Sequence, residues 1–235
     1  MGSRASKDAL FDGFAEVGKA LANGRRAEIV DVLAQGERHV DEVAAEIEQS
    51  VANTSFHLRV LASAGLLTTR RNGTRVYYSL TSARVGALWA ALRDVAVVHH
   101  GELGRLADAY LGARDGIDEI TRDELAQRLD TGSVVVIDVR PSAEFAAGHI
   151  TGARSVPFDG LAERVRALPP DVEVVAYCRG PFCVFADEAV RILHRNGRAA
   201  YRLEDGFPEW QSAGFPAVSG PLPDGLMTDP VGVRR

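Results

Sequence analysis

The sequence predicts two domains in tandem, a mainly α domain of winged helix-turn-helix pattern followed by an α/β domain. Three observations carry this. Apolar residues recur at helical spacing from Leu10 to Leu61 and then give way to two alternating stretches on either side of Asn72-Gly73. Farther on, Val172 to Ala176 reads as a buried strand, followed by a short turn and by Ala186, Ala189, Val190 and Leu193 at helical spacing. A length of 235 residues suits one large or two ordinary domains.

In chain order, Leu10, Phe14, Val17 and Leu21 form the first helical stripe, ended by Asn23-Gly24. Ile29, Val30, Val32 and Leu33 mark a second helix that stops at Gly36, and His39 to Ile47 makes a short third. Ser50 is placed to cap a fourth helix running through Ser55, Phe56, His57, Leu58, Val60 and Leu61 to Ala64-Gly65. Leu67 to Arg71 and Thr74 to Leu80 alternate, and the Asn-Gly pair between them is a strong hairpin signal. Leu88, Trp89, Leu92, Val95, Ala96, Leu103, Leu106 and Tyr110 continue as one long helical pattern. Gly112 to Gly116 reads as the linker, and Thr121 with Glu124 three positions on reads as a capping box that opens the second domain. The spans expected are 8–112 for the first domain and 119–220 for the second, with an irregular tail at 221–235.

Composition narrows the class. A hydrophobic fraction of 46% supports real cores and a charged fraction of 25% is that of a water-exposed surface. No stretch approaches the length of apolar residues that spans a bilayer, so no membrane partner is expected. Met1 to Leu10 carries Arg4, Lys7 and Asp8 without an apolar signal core, and two cysteines make no secreted disulfide scaffold; both point to the cytoplasm. Residues 1–115 carry 14 basic and 14 acidic side chains and residues 116–235 carry 13 and 18, so the net charge of −5 belongs to the second half. Within the first half the charges are unevenly placed. From Gln49 to Arg93 there is no Asp or Glu, whereas Arg59, Arg70, Arg71, Arg75, Arg84 and Arg93 all fall inside. One sign of charge beside a hairpin is the footprint of a surface that faces DNA.

The runs Ala20 to Arg26, Thr54 to Leu67 and Arg70 to Tyr78 resemble the ArsR/SmtB repressors, whose recognition helix reads Ser-x-His-Leu-x-x-Leu-x-x-x-Gly-Leu. The resemblance covers about residues 8–100. It implies a homodimer on double-stranded operator DNA, with Thr54, Ser55, His57 and Arg59 touching bases or backbone and Arg70, Arg71 and Arg75 serving the wing. His57 has an alternative, a hydrogen bond within the domain. The last helix of such proteins pairs with its dimer mate, which offers Trp89 and Leu92 as interface residues; packing within the monomer is compatible with that. Many members sense metals through cysteines before the recognition helix or acidic and histidine ligands in the last helix. Here Val40 to Ile47 holds no cysteine, Ser82, Ala83 and Arg84 stand at the other site, and His99, His100 and Glu102 read as surface. No metal or cofactor is expected.

In the second half, Val136 to Pro157 carries Asp-x-Arg, Glu-Phe and Gly-His-Ile-x-Gly-Ala in order, Ala176 to Ala186 carries both cysteines, and Leu203 to Trp210 with Gly214-Phe215-Pro216 follows. These blocks resemble the rhodanese family of sulfurtransferases, which implies an α/β fold with a central parallel sheet flanked by helices. It also implies that Cys178 takes a sulfane sulfur from a donor such as thiosulfate or polysulfide and holds it as a persulfide. The helix N-terminus beyond the turn favours a thiolate there. The amides from Arg179 to Cys183, through Gly180, Pro181 and Phe182, would cradle the anion. Arg179 either attracts an anionic donor or is solvated surface. Cys183 closes the loop where many members have Arg, Ser or Lys, and is either a resolving thiol or a small residue at the helix start.

The sequence therefore points to a DNA-binding regulator, in the first place a repressor, that senses reactive sulfur through Cys178. Two alternatives stand beside it: a working sulfurtransferase with a regulatory DNA-binding domain, and a repressor that responds to arsenite or a soft metal through the two thiols.

Overall fold

Asn23, Ser50 and Thr121 start helices for one reason: each places a side-chain oxygen over an amide that the first turn leaves without a partner. Asn23 accepts from Arg26 N, Ser50 from Asn53 N and Thr121 from Glu124 N. The computed structural model describes residues 2–169 and 171–220, so the tail expected at 221–235 lies outside the described residues. The chain divides into two compact units between Asp94 and Val95.

The first unit runs α1 (Arg4–Leu21), α2 (Gly24–Ala34), β1 (Arg38–His39), α3 (Val40–Glu46), α4 (Val51–Ser63), β2 (Leu67–Asn72), β3 (Arg75–Leu80) and into α5 (Ala83–His99). Asn23 does not merely end α1; it caps α2. Glu42 completes a capping box at α3 by accepting from His39 N at 2.6 Å. The three strands form an antiparallel sheet in the order β1-β3-β2. The hairpin loop is one residue later than expected: Asn72 pairs with Arg75, leaving Gly73-Thr74 as the two-residue connection. Gly73 has φ +60°, the positive value that a type II′ turn requires at its first loop position. Ile29, Val30, Leu33, Val43, Ile47, Leu58, Leu61 and Leu66 build the core. Trp89 packs on this core and donates from Nε1 to Asp31 at 2.8 Å. The stripe expected on α1 is buried only at its end: Leu21 is covered, whereas Leu10 and Phe14 are 55% and 62% exposed.

The second unit continues with α6 (Leu103–Leu111), so the single long helix expected through Tyr110 is broken at His100 to Glu102. After it come β4 (Glu119–Ile120), α7 (Arg122–Asp130), β5 (Val134–Asp138), α8 (Ser142–Ala147), β6 (His149–Ile150), β7 (Arg154–Ser155), α9 (Leu161–Arg164), β8 (Glu173–Tyr177), α10 (Val184–Arg195), β9 (Ala200–Leu203), α11 (Phe207–Ser212) and β10 (Ala217–Val218). The sheet has the order β4-β9-β8-β5-β7 with every pairing parallel. Parallel strands buried on both faces need apolar residues on both. On β8, Val174 and Ala176 point into one core and Val175 and Tyr177 into the other. At the start of α7, Glu124 turns to Arg128 rather than back to the Thr121 amide, so half of the expected capping box forms. No helix among the described residues is long and apolar enough to cross a membrane.

At the carboxyl ends of β5 and β8 sits a fully buried cation. Arg140 donates from Nη2 to Asp138 at 2.6 Å and to Gly148 O at 2.7 Å, and lies over the Phe207 ring at 4.6 Å. Burial pulls its pKa down, but the Asp138 carboxylate outweighs that and leaves it raised. The Tyr177 hydroxyl bonds Asp138 and accepts from Ile150 N at 3.2 Å; burial first, then Asp138, pushes its pKa well above 10.0. Arg140→Met should therefore strand Asp138 as an uncompensated buried charge and cost about 3–5 kcal/mol. Urea unfolding of the Trp89→Phe chain, in which Trp210 is the remaining tryptophan, followed by fluorescence with and without Arg140→Met, measures the loss.

Candidate functional site

Cys178 follows β8 directly, at the carboxyl edge of a parallel sheet where loops converge on ligands. It is 1% exposed and belongs to the core on one face of the sheet. The chain then turns through Arg179, Gly180, Pro181 and Phe182, each half-buried, to Cys183, which precedes α10. Cys178 and Cys183 are joined by a disulfide, with Cα atoms 6.2 Å apart. Cys183 thus stands at the start of α10 with its sulfur on that of Cys178.

The loop is held from several sides. Cys183 N donates to Gly180 O at 3.1 Å, and Phe207 N donates to Cys178 O at 3.2 Å. Arg179 grips Glu144, donating from Nη2 at 2.6 Å and from Nε at 3.0 Å to each carboxylate oxygen. Glu144 is 2% exposed, so this is a buried carboxylate with its charge met. Arg179 is thus neither solvated surface nor a free lure for anionic donors; it anchors the loop to α8.

Pro181 O accepts from two arginines, Arg114 Nη2 and Arg202 Nη2, each at 2.8 Å. The same two converge on Asp187 in the first turn of α10: Arg114 Nε donates to Oδ2 at 2.7 Å, and Arg202 Nε lies 2.8 Å from Oδ1 at an angle outside hydrogen-bonding range. Arg202 also donates to Glu119 at 2.7 Å. Burial, and then the nearby Arg114 charge, lowers its pKa from the usual arginine range. Gly206 closes the fourth side. A Cβ there would come 2.3 Å from Gly180 N and from Arg179 C, so only a residue without a side chain lets α11 start against the loop.

Arg114, Asp187 and Arg202 were not singled out by sequence reasoning, and Glu144 stood there only as part of the Glu-Phe block. Asp187, a carboxylate one turn beyond Cys183 on an otherwise apolar helix face, carried a signal. Arg114, inside the linker, carried none.

In the first unit the structure separates the residues expected to meet DNA. Thr54 has no exposed surface and His57 is 8% exposed, so both side chains face the core, and neither Thr54 Oγ1 nor His57 Nδ1 has a hydrogen-bond partner there. Burial first, then Arg26 and Arg25, lowers the His57 pKa from 6.5. Ser55 is half-buried and Arg59 exposed on the same helix, with Asn53 and Phe56 exposed beside them. On the wing, Arg71 and Arg75 are exposed, while Arg70 is engaged with Glu37 at 2.5 Å and stacks over Tyr77 at 5.0 Å. The acid-free segment thus borrows one acidic partner from outside itself. Among the described residues no group of three or more His, Cys, Asp or Glu is placed to hold a metal ion.

Known proteins match both units. The profile of the bacterial regulatory protein arsR family matches residues 23–69, and that of the rhodanese-like domain matches residues 121–213. The HTH-type transcriptional regulator Rv0324 of Mycobacterium tuberculosis is 46% identical over 214 residues, covering 91% of this chain and 94% of that one. The chain belongs to the ArsR family of transcriptional regulators. In this chain a rhodanese-like domain follows the winged helix-turn-helix, as the two profiles show. A sulfurtransferase of Allochromatium vinosum is 34% identical over 104 residues, covering 44% of this chain and 96% of its own. Among solved structures, the homodimeric winged helix-turn-helix DNA-binding domain of Mb0332 from Mycobacterium bovis is 45% identical, covering 42% of this ArsR-family chain and 92% of that one, with a TM-score of 0.40.

Gly206→Ala should displace the Arg179–Gly180 peptide and with it the loop. We expect a slower reaction of the reduced protein with sulfane-sulfur donors and a smaller change of operator binding when those donors are added. Mass spectrometry of Cys178 and a gel-shift assay on the same preparation measure the two.

Proposed function

We propose that this ArsR-family regulator is a cytoplasmic repressor that binds operator DNA as a homodimer and changes its affinity when Cys178 takes up sulfane sulfur. The observation that carries the sensor reading is the pair of bonds that Arg114 sends into the loop. Arg114 stands in the segment that directly follows α6, and its guanidinium holds both Pro181 O and Asp187. Chemistry at Cys178 that shifts Pro181 therefore pulls on the chain that leads back to α6 and α5. An allosteric coupling of about 1–3 kcal/mol, roughly 5–150-fold in affinity, is the usual scale for such a link.

DNA binding is supported by the exposed Arg59, Arg71 and Arg75 in a segment without acidic residues. The homodimer is supported by apolar side chains left open within the chain, Leu10, Phe11 and Phe14 on α1 and Leu88 and Leu92 on α5. A disulfide across so short a loop suits a redox device, because structural disulfides are rare in the cytoplasm. The likeness to a named sulfurtransferase over most of the second unit favours a second reading, in which sulfur transfer itself is the activity and the DNA-binding unit regulates it.

Arg71→Ala with Arg75→Ala should weaken operator binding at every sequence and flatten its dependence on salt. Titrations at several salt concentrations measure this; an unchanged slope removes the wing from the interface. Operator affinity of the reduced chain should shift within the allosteric range above after polysulfide treatment, and Cys178→Ser should abolish the shift. If wild type keeps its affinity with sulfur verified on Cys178 while thiosulfate-to-cyanide transfer runs, the sulfurtransferase reading replaces the sensor.

A further inference from the structure

The loop places a second sulfur where it intercepts whatever Cys178 receives. We propose that the Cys178–Cys183 pair makes the rhodanese-like unit a sulfane-sulfur reductase: sulfur taken up by Cys178 leaves as hydrosulfide, and the chain is left with the disulfide. This deepens the sensor reading and rests on Cys178 being the sulfur acceptor.

The geometry points to it on three counts. First, the two sulfurs are within bonding distance in the folded loop, and their Cα atoms are 6.2 Å apart, inside the range that a disulfide spans without backbone movement. Second, the loop is not free to carry Cys183 away. Cys183 N is bonded to Gly180 O, Pro181 O is held by Arg114 and Arg202, and Arg179 is held by Glu144. Third, Cys178 is 1% exposed, and Cys183 and Phe158 both pack against the core cluster to which it belongs. An acceptor thiol from solution has to diffuse to that sulfur, whereas Cys183 is already there. A partner tethered by a short loop acts at an effective concentration of millimolar or above, and a well-oriented one far higher.

The steps balance. The Cys178 thiolate attacks the outer sulfur of thiosulfate; the S–S bond of the donor breaks, sulfite leaves, and Cys178 becomes a persulfide. Cys183, as thiolate, then attacks the inner sulfur, the Sγ of Cys178. The Cys178–Cys183 bond forms, the bond to the outer sulfur breaks, and hydrosulfide leaves with the electron pair. The sulfane sulfur is reduced by two electrons and the two cysteines are oxidised by two. Of the two thiol protons, one stays on hydrosulfide and one passes to solvent. Attack on the outer sulfur would only move the persulfide from one cysteine to the other. A dithiol reductant returns the pair to two thiols for another round.

The full chain, reduced and freed of reductant, is mixed with thiosulfate, and sulfite, sulfide and protein mass are followed together. Thiosulfate is chosen because its own transfer releases sulfite and no sulfide. Wild type should release sulfide in equal amount to sulfite and end two hydrogens lighter than the dithiol form, without added sulfur. Cys183→Ser should release sulfite, keep the sulfur on Cys178 and lose sulfide release; Cys183→Ala repeats that arm if the serine variant does not fold. A wild-type chain that releases sulfite, holds a stable persulfide and yields no sulfide overturns the reductase and leaves the sensor standing. A chain that takes sulfur on Cys178 from neither thiosulfate nor hydropolysulfide overturns both.

Discussion

Pro181 O, a single carbonyl, takes hydrogen bonds from two guanidinium groups, and the second unit is arranged so that it can. Arg202 comes from the end of β9, Arg114 from the segment before β4, and Asp187 from the first turn of α10. A buried arginine is costly unless its charge is met. Arg202 is met by Glu119 and Asp187, and the burden that remains shows in its lowered pKa. The result is a loop whose middle is fixed by charges from three separate parts of the chain. The reactive end, Cys178, stays continuous with a central strand.

That arrangement fixes the loop from every side. Its ends are set by the sheet and α10, its outer edge by the Glu144–Arg179 pair, and its back by Gly206. Because Arg179 is already neutralised, the loop presents no spare cation, and Cys183 occupies the closing position instead. A sulfur placed there alters the fate of a persulfide more than the rate of its formation. In the first unit the exposed arginines lie on α4 and the wing, while Leu58 and Leu61 hold α4 to the core.

Much of the fold was legible in the sequence. Ser50 and Thr121 announced helix starts because a cap is a local interaction, settled within three residues, whereas Asn23 was read only as the end of α1. The hairpin was announced by Asn72-Gly73, though the loop proved to be Gly73-Thr74, since pairing of Asn72 with Arg75 outweighs the local preference. Less was legible where helix faces were concerned. A helical stripe says that Leu10 and Phe14 share a side with Leu21, but not that only the last of them meets the core. The same limit applies to Thr54 and His57, which are buried: residues on a recognition helix divide between an inner and an outer face, and which face is inner depends on what packs against it.

By itself the sequence determined the two-domain order, the strand–loop–helix at the two cysteines, the acid-free arginine segment and the family of each half. All of these rest on spacing along the chain. Only the tertiary structure decided that Arg179 is bound by Glu144, that Arg114 and Arg202 share Pro181 O, that Gly206 must lack a side chain, and that Cys178 and Cys183 are joined. Arg114 lies 67 residues from Pro181 and Arg179 lies 35 from Glu144. Contacts at that separation leave no periodic trace; they exist because a parallel sheet returns distant segments to one edge, where buried charges have to find one another.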